Sequence, residues 1–451
     1  MILGRLFGTD GARGVANTDI SPELAMNIGK AVAMVLTDME HHRPRVLIGM
    51  DTRISGDMLE AAIAAGLCSV GADVMTLGVV PTPAVAYLVR RYGYDAAVMI
   101  SASHNPCEYN GIKIFKGDGY KLPDDVENKI EAIILDEVDV PPTPIGKGVG
   151  TIRVCENTVH DYIEYLRSTV DCDFSGMEIA LDCANGSASV SAQKLFTSLG
   201  AKVHILSADP DGLNINDNCG STHLCALQAY VKEHRLQAGF AFDGDADRML
   251  AVDENGEIVD GDKIIAICAA QMKKEGKLRG NTAVVTVMTN MGFYKFCQEA
   301  DIQFTATKVG DRYVLEEMLK ENYAIGGEQS GHVIFLDYAT TGDGQLTALQ
   351  VLSVMKKNGK ALSELASLMT VYPQTMINVR VSKMGKARFH DDEDIKEAIR
   401  QAEAQLGDTG RVLVRVSGTE PLVRVMLEGE SQQQIETLAN EIAEVVREKL
   451  I

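Results

Sequence analysis

No stretch of this 451-residue sequence approaches the roughly 18 consecutive apolar residues that a membrane-spanning helix requires, although 46% of its residues are hydrophobic. The opening Met1–Ile2–Leu3–Gly4–Arg5–Leu6–Phe7–Gly8 is too short an apolar stretch for a secretory leader and carries one basic side chain. Basic residues are in deficit, with 43 Lys and Arg against 63 Asp and Glu for a net charge of −20. That balance opposes broad binding to nucleic acid or an acidic membrane. It leaves room for a phosphorylated small molecule held by a few cations in one cleft. The nine cysteines, at 68, 107, 155, 172, 183, 219, 225, 268 and 297, include no CxxC pair. An odd, scattered set points to free thiols in a reducing compartment, so a cytoplasmic protein without nucleic-acid or membrane partners is expected.

A chain of this length exceeds what one hydrophobic core serves, and three or four domains are expected. Arg45–Met50 reads as a buried strand, Met58 through Val70 as an Ala-rich helix and Ala72–Leu77 as the next strand. Pro81–Thr82–Pro83 then introduces a helix before the strand Ala96–Ile100. This βαβ rhythm predicts a largely parallel sheet with active loops beyond the strands' carboxyl ends. It restarts at Glu178–Asp182, with strands at Ala201–Leu206 and 239–242, and again with a helix over Gly261–Lys274, a strand over Thr282–Met288 and a helix over Asp311–Glu321. After Pro373 the pattern changes to strands at 376–381, 411–416 and 422–427 and helices at 391–406 and 433–449, which predicts a small α+β domain with antiparallel strands. The expected domains are 1–154, 155–254, 255–369 and 370–451.

Two predicted strands end in chemistry. The first delivers Ser101–Ala102–Ser103–His104–Asn105–Pro106. A lone serine before Asn–Pro reads as a turn, whereas the adjacent His104 and Asn105 add groups that could orient a phosphoryl group. No G-x-S-x-G elbow points to acyl transfer. The second ends in Asp243–Gly244–Asp245–Ala246–Asp247–Arg248. Carboxylates at i, i+2 and i+4 share one side if the backbone stays extended, and three like charges together call for a cation such as Mg²⁺. An EF-hand would need glycine where Arg248 stands and a preceding helix where a strand is expected.

Further segments are weaker alone. Gly8–Thr9–Asp10–Gly11–Ala12–Arg13–Gly14 offers a phosphate-sized loop without Walker A or G-x-G-x-x-G spacing. Asp51–Thr52–Arg53 reads equally as a salt-linked helix start, and Lys113 as surface charge. Gly327–Glu328–Gln329–Ser330–Gly331–His332 is a polar island in which Glu328 and Ser330 share parity if extended, placing an acceptor and a hydroxyl against adjacent sugar hydroxyls. Arg415–Val416–Ser417–Gly418–Thr419–Glu420–Pro421, with Arg424, combines backbone N–H groups, hydroxyls and guanidinium forks suited to phosphate oxygens. A reacting phosphoryl site and a separate phosphate anchor are what an enzyme moving phosphate within one sugar needs.

These segments, in this order, closely resemble the alpha-D-phosphohexomutase superfamily, with matches spread from 8 to 424. The resemblance implies four domains around a central cleft: three related mixed α/β domains and a smaller C-terminal α+β domain. It implies that Ser103 is a phosphoserine whose phosphoryl group joins Asp243, Asp245 and Asp247 around Mg²⁺. Arg13, His104, Lys113 and Arg248 would surround that group, with Lys113 a candidate for proton transfer. Glu328 and Ser330 would hold sugar hydroxyls, and Arg415, Ser417, Gly418, Thr419 and Arg424 the distal phosphate. The Ser–Ala–Ser–His–Asn–Pro wording and Gln329 resemble the branch acting on phosphorylated amino sugars in the route to UDP-N-acetylglucosamine. Glucosamine 1,6-bisphosphate would be its intermediate, and a homodimer is expected. Phosphoglucomutase or phosphomannomutase activity, a Mg-dependent phosphatase and a metabolite-binding protein are the alternatives.

Overall fold

The computed structural model describes residues 5–8, 10–40, 42–417 and 421–451. Their contacts divide into two compact units, Met1–Met288 with Ile302–Leu368, and Thr289–Asp301 with Met369–Ile451.

The first unit is built on three sheets. The first sheet runs, edge to edge, Ala12–Val15, Tyr109–Lys116, Ala96–Ile100, Arg45–Met50, Asp73–Val79, Ile152–Val154. Its last four strands are parallel to one another, while Tyr109–Lys116 lies antiparallel to both of its neighbours. The mixed pairing follows from the short return of the chain after Ser103, which leaves no room for a crossover helix. Ala96–Ile100 is buried at every position, as a central strand covered on both faces must be. The second sheet orders Ile258–Val259, Met249–Asp253, Ala238–Phe242, Glu178–Asp182, Lys202–Leu206. Ala238–Phe242 is likewise wholly buried and runs antiparallel to Met249–Asp253, so the acidic segment is the hairpin connection between them. The third sheet orders Gln303–Thr307, Thr282–Thr286, Ile325–Gly327, Val333–Phe335.

The second unit has a three-stranded antiparallel sheet, Gln374–Arg380, Leu422–Gly429, Gly410–Val416, packed against the helices Glu393–Leu406 and Gln432–Leu450. Val423, Val425 and Leu427 enter its core with Ile435, Leu438, Ile442 and Val446. The segment Thr282–Met288, expected as one strand, ends as strand at Thr286. A helix, Met291–Glu299, that the sequence reading did not assign belongs to this second unit. Asn290 caps it by accepting from Gly292 N at 3.0 Å, and the buried Glu428 carboxylate accepts from Met291 N at 3.1 Å.

Ion pairs join the first and third sheets' domains: Lys121 bridges Asp10 and Asp311 at 2.5 and 2.6 Å, and Arg312 contacts Asp124 and, at 3.8 Å, Glu127. Burial pushes the Glu127 carboxyl up to about 7 despite Arg312. The folded protein therefore binds a proton that the unfolded chain releases, and stability falls as pH rises from about 4.5 to about 7. Solvent screening at this half-buried position limits the effect to about 1–2 kcal/mol. The melting temperature of Glu127→Gln is expected to match wild type near pH 5 and to exceed it increasingly toward pH 8; a gap independent of pH would exclude this assignment.

Candidate active site

Ser103 sits beyond the strand Ala96–Ile100 in a left-handed conformation, φ 51°, and is 1% exposed. A β-carbon disfavours that region, so the conformation persists only where neighbours hold it. Ser101 Oγ accepts from Ser103 N at 2.9 Å and donates to Asp51 Oδ2 at 2.6 Å. Asp51 in turn pairs with Arg53 at 2.9 Å, both side chains fully enclosed. All five guanidinium N–H groups of Arg53 are used. Nε–H serves Asp51, Nη2 the carbonyls of Ser103 and Asn105 at 2.9 and 2.8 Å, and Nη1 the carbonyls of Pro106 and, at 3.0 Å, Tyr109. The segment that read as a simple helix start thus shapes the serine loop.

So held, Ser103 Oγ donates to Asp243 Oδ2 at 2.6 Å across 140 residues of sequence. Asp243, Asp245 and Asp247 are buried, with ligand oxygens within 4.8 Å of one another. The extended backbone assumed from their i, i+2, i+4 spacing is not what gathers them. The segment is a turn in which Ala246 N donates to Asp243 O at 3.0 Å and Ala246 itself has φ 56°. Gly244 is required there, because a β-carbon would lie 2.6 Å from the Ser103 carbonyl oxygen. Asp245 Oδ1 and Asp247 Oδ1 are buried acceptors without a hydrogen-bond partner among the described residues, an arrangement that fits a hard divalent cation. Burial, then Asp247 and Asp245, hold the Asp243 carboxyl well above its usual range.

Cations converge on the same place. Lys113, 1% exposed rather than on the surface, lies 2.8 Å from Asp245, 3.5 Å from Asp247 and 3.2 Å from Asp10. Burial pulls its ammonium down, but Asp10, Asp245 and Asp247 together outweigh burial and keep it protonated. Thr82 donates to Asp245 at 2.6 Å, and Arg13 pairs with Asp10. Arg248 Nη1 donates to His104 Nδ1 at 2.9 Å. Arginine cannot accept, so Nδ1 is the bare nitrogen and Nε2–H is the donor that His104 can offer. Burial, with Arg248 and Arg13, lowers His104 to about 4 and leaves the imidazole neutral at physiological pH.

Glu328 and Ser330 lie in the hairpin between Ile325–Gly327 and Val333–Phe335. Here too the extended premise fails: Gly331 N donates to Glu328 O at 3.0 Å, closing a turn, with Glu328 Oε1 on Gly310 N at 3.1 Å and Ser330 exposed. In the second unit Arg415 and Arg424 face each other across adjacent strands, and Ser417 is buried at the strand end. Burial, then Arg424, lowers Arg415 from its ordinary value. Gly418 and Thr419 lie outside the described residues. Asp10, Lys121, Thr82 and the Asp51–Ser101–Arg53 network were not assigned to the site from sequence. The signals the sequence offered for them were Asp51–Thr52–Arg53 at a strand end, Asp10 in the glycine-rich opening loop and Ser101 two residues before Ser103.

Phosphoglucosamine mutase of Thermoanaerobacter sp. (strain X514) is 56% identical over 448 residues, 99% of this chain and 100% of that one. Phosphoglucosamine mutase of Clostridium novyi (strain NT) is 54% identical over 447 residues, 99% of each. Models of phosphoglucomutase/phosphomannomutase alpha/beta/alpha domains I, II and III and of the C-terminal domain match residues 4–140, 160–256, 260–372 and 376–445. The chain belongs to the phosphoglucomutase/phosphomannomutase family. Solved structures carry the same fold. A phosphoglucomutase/phosphomannomutase family protein of Burkholderia thailandensis superposes with TM-score 0.81 at 22% identity, covering 100% of this chain and 99% of that one. Aspergillus fumigatus N-acetylphosphoglucosamine mutase, solved with GlcNAc-6P and magnesium, gives 0.68 at 16% identity, covering 99% and 96%. In this member of the phosphoglucomutase/phosphomannomutase family, Ser103 falls in domain I, the aspartate turn in domain II, the Glu328 hairpin in domain III and the paired arginines in the C-terminal domain.

Arg53→Met is expected to destabilise domain I by about 3–5 kcal/mol, because it strands the buried Asp51 carboxylate. Arg53→Lys restores the charge without the fork and should recover only part of the loss. Chemical denaturation of both variants measures this, and full recovery by lysine would contradict the role given to the guanidinium.

Proposed function

We propose that the protein is a phosphoglucosamine mutase that interconverts glucosamine 6-phosphate and glucosamine 1-phosphate with phospho-Ser103 as the phosphoryl carrier. The observation that carries this reading is the meeting of Ser103 Oγ, held in a left-handed turn, with three buried carboxylates, two of which keep an oxygen without a hydrogen-bond partner among the described residues. Full-length relatives named phosphoglucosamine mutase, 54% and 56% identical, support the amino-sugar substrate.

In the forward direction the C1 hydroxyl attacks phosphorus on phospho-Ser103. A P–O1 bond forms as P–Oγ breaks, giving glucosamine 1,6-bisphosphate. After the intermediate turns over, P–O6 breaks and P–Oγ re-forms, releasing glucosamine 1-phosphate and a rephosphorylated serine. Each half-reaction moves one proton from the attacking to the leaving oxygen, and Lys113, held as the ammonium, is assigned as the acid that donates to the leaving oxygen and is restored by the proton of the attacking hydroxyl. Arg13, Arg248 and the Nε2–H of His104 neutralise or donate to the phosphoryl oxygens, supplying preorganised stabilisation of the developing charge. A magnesium ion held by Asp243, Asp245, Asp247 and a phosphoryl oxygen on Ser103 would draw charge from the transferring group. Glu328 and Ser330 are assigned to sugar hydroxyls. Arg415, Ser417, Gly418, Thr419 and Arg424 are assigned to the phosphate not being transferred.

A panel of glucosamine, glucose and mannose phosphates, assayed for isomer and for inorganic phosphate with enzyme whose Ser103 phosphorylation has been measured, tests the reading. Glucosamine phosphate should lead in kcat/KM by at least roughly tenfold. Equal or greater preference for glucose phosphate would overturn the amino-sugar assignment, and sustained phosphate release without isomer would point to a phosphatase. Ser103→Ala should lower isomerisation by at least roughly 10³-fold while the fold, read by circular dichroism, is retained. Chelation followed by Mg²⁺ readdition should abolish and restore turnover.

A further inference from the structure

The carbonyl oxygens of Ser103 and Asn105 are each gripped from two sides. Arg53 Nη2 reaches both from within domain I, and Asn216 Nδ2, from the domain II loop after Lys202–Leu206, donates to the same two at 2.9 and 3.1 Å. The two N–H bonds of one amide therefore meet the two carbonyls that flank His104. Asn216 is 8% exposed and itself left-handed, φ 59°, a conformation asparagine tolerates better than most residues. Its own N–H is fixed on Ala184 O at 2.9 Å, so the amide is held by a loop that does not belong to the serine's sheet. The adjacent Ile215 side chain lies against Gly244 of the aspartate turn.

We propose that Asn216 is a positioning residue for phosphoryl transfer. With Arg53 it clamps the Ser103 and Asn105 carbonyls and so fixes the left-handed turn that aims Ser103 Oγ at the aspartate turn. Releasing one jaw frees a serine whose φ is unfavourable in isolation, and a displacement of the reacting oxygen by about 1 Å is worth on the order of 10²-fold in rate. The inference rests on Ser103 being the phosphoryl carrier.

Asn216→Gly removes the amide while keeping the left-handed backbone accessible, and Asn216→Asp keeps shape but turns a carboxylate toward two carbonyls. In full-length enzyme, both are expected to raise amide hydrogen exchange at Ser103 and Asn105 by at least roughly tenfold. Both should lower kcat for glucosamine 6-phosphate by roughly 10- to 100-fold per phosphorylated molecule, with KM within about threefold. A merely structural residue would lower the yield of folded enzyme and leave kcat per phosphorylated molecule intact. Wild-type kcat in both variants, or lost kcat with unchanged exchange over 101–109, would overturn the proposal. Exchange does not depend on turnover. An inert wild-type enzyme would therefore overturn the mutase reading, whereas unchanged exchange would overturn the clamp.

Discussion

Three carboxylates withdrawn from water within 4.8 Å of one another set the terms for the rest of the first unit. Such a group repels itself, and the folded chain answers with cations drawn from long distances in sequence: Lys113 on two of the aspartates, Arg248 beside them, and Arg13 and Lys121 on the neighbouring Asp10. The compensation is incomplete, since Asp245 and Asp247 each keep an oxygen without a hydrogen-bond partner among the described residues. A site of this kind is neither a plain salt-bridge network nor an empty acidic pocket. Its charge is balanced closely enough to fold while leaving oxygens of a kind that suits a hard cation.

The serine loop shows the complementary device. Its shape is imposed by donors aimed at its carbonyl oxygens, with Arg53 giving both terminal nitrogens to that task and its Nε–H to Asp51. Hydrogen bonds to main-chain oxygens leave the side chains of Ser103 and His104 uncommitted to architecture. Burial with Arg248 and Arg13 keeps the His104 ring neutral, its Nδ1 accepting from Arg248, and Ser103 keeps its hydroxyl for Asp243.

The parts of this arrangement that the sequence made legible are those written locally. Ala96–Ile100 and Ala238–Phe242 are apolar runs bounded by polar loops, and the segments that follow them carry the serine and the aspartates. What was not legible is long-range or conformational. The aspartates gather through a turn with a left-handed Ala246, not through strand alternation, and the same error attended Glu328 and Ser330. Lys121 gave no local sign because both of its partners, Asp10 and Asp311, are more than a hundred residues away. The helix Met291–Glu299 is only nine residues long, and a carboxylate 137 residues downstream receives its first N–H.

That helix makes the C-terminal unit discontinuous, since Thr289–Asp301 joins Met369–Ile451 with the strand Gln303–Thr307, the hairpin and the helix Gly344–Asn358 intervening. Glu428, fully buried, would lose the Met291 N–H and the Asn290 amide in any fragment that began after the third sheet, keeping Gln374 and Arg411. A C-terminal fragment beginning there would therefore keep its sheet and both long helices but leave this buried carboxylate with two fewer donors. Satisfying Glu428 fully takes two separate segments of the chain, Thr289–Asp301 and Met369–Ile451.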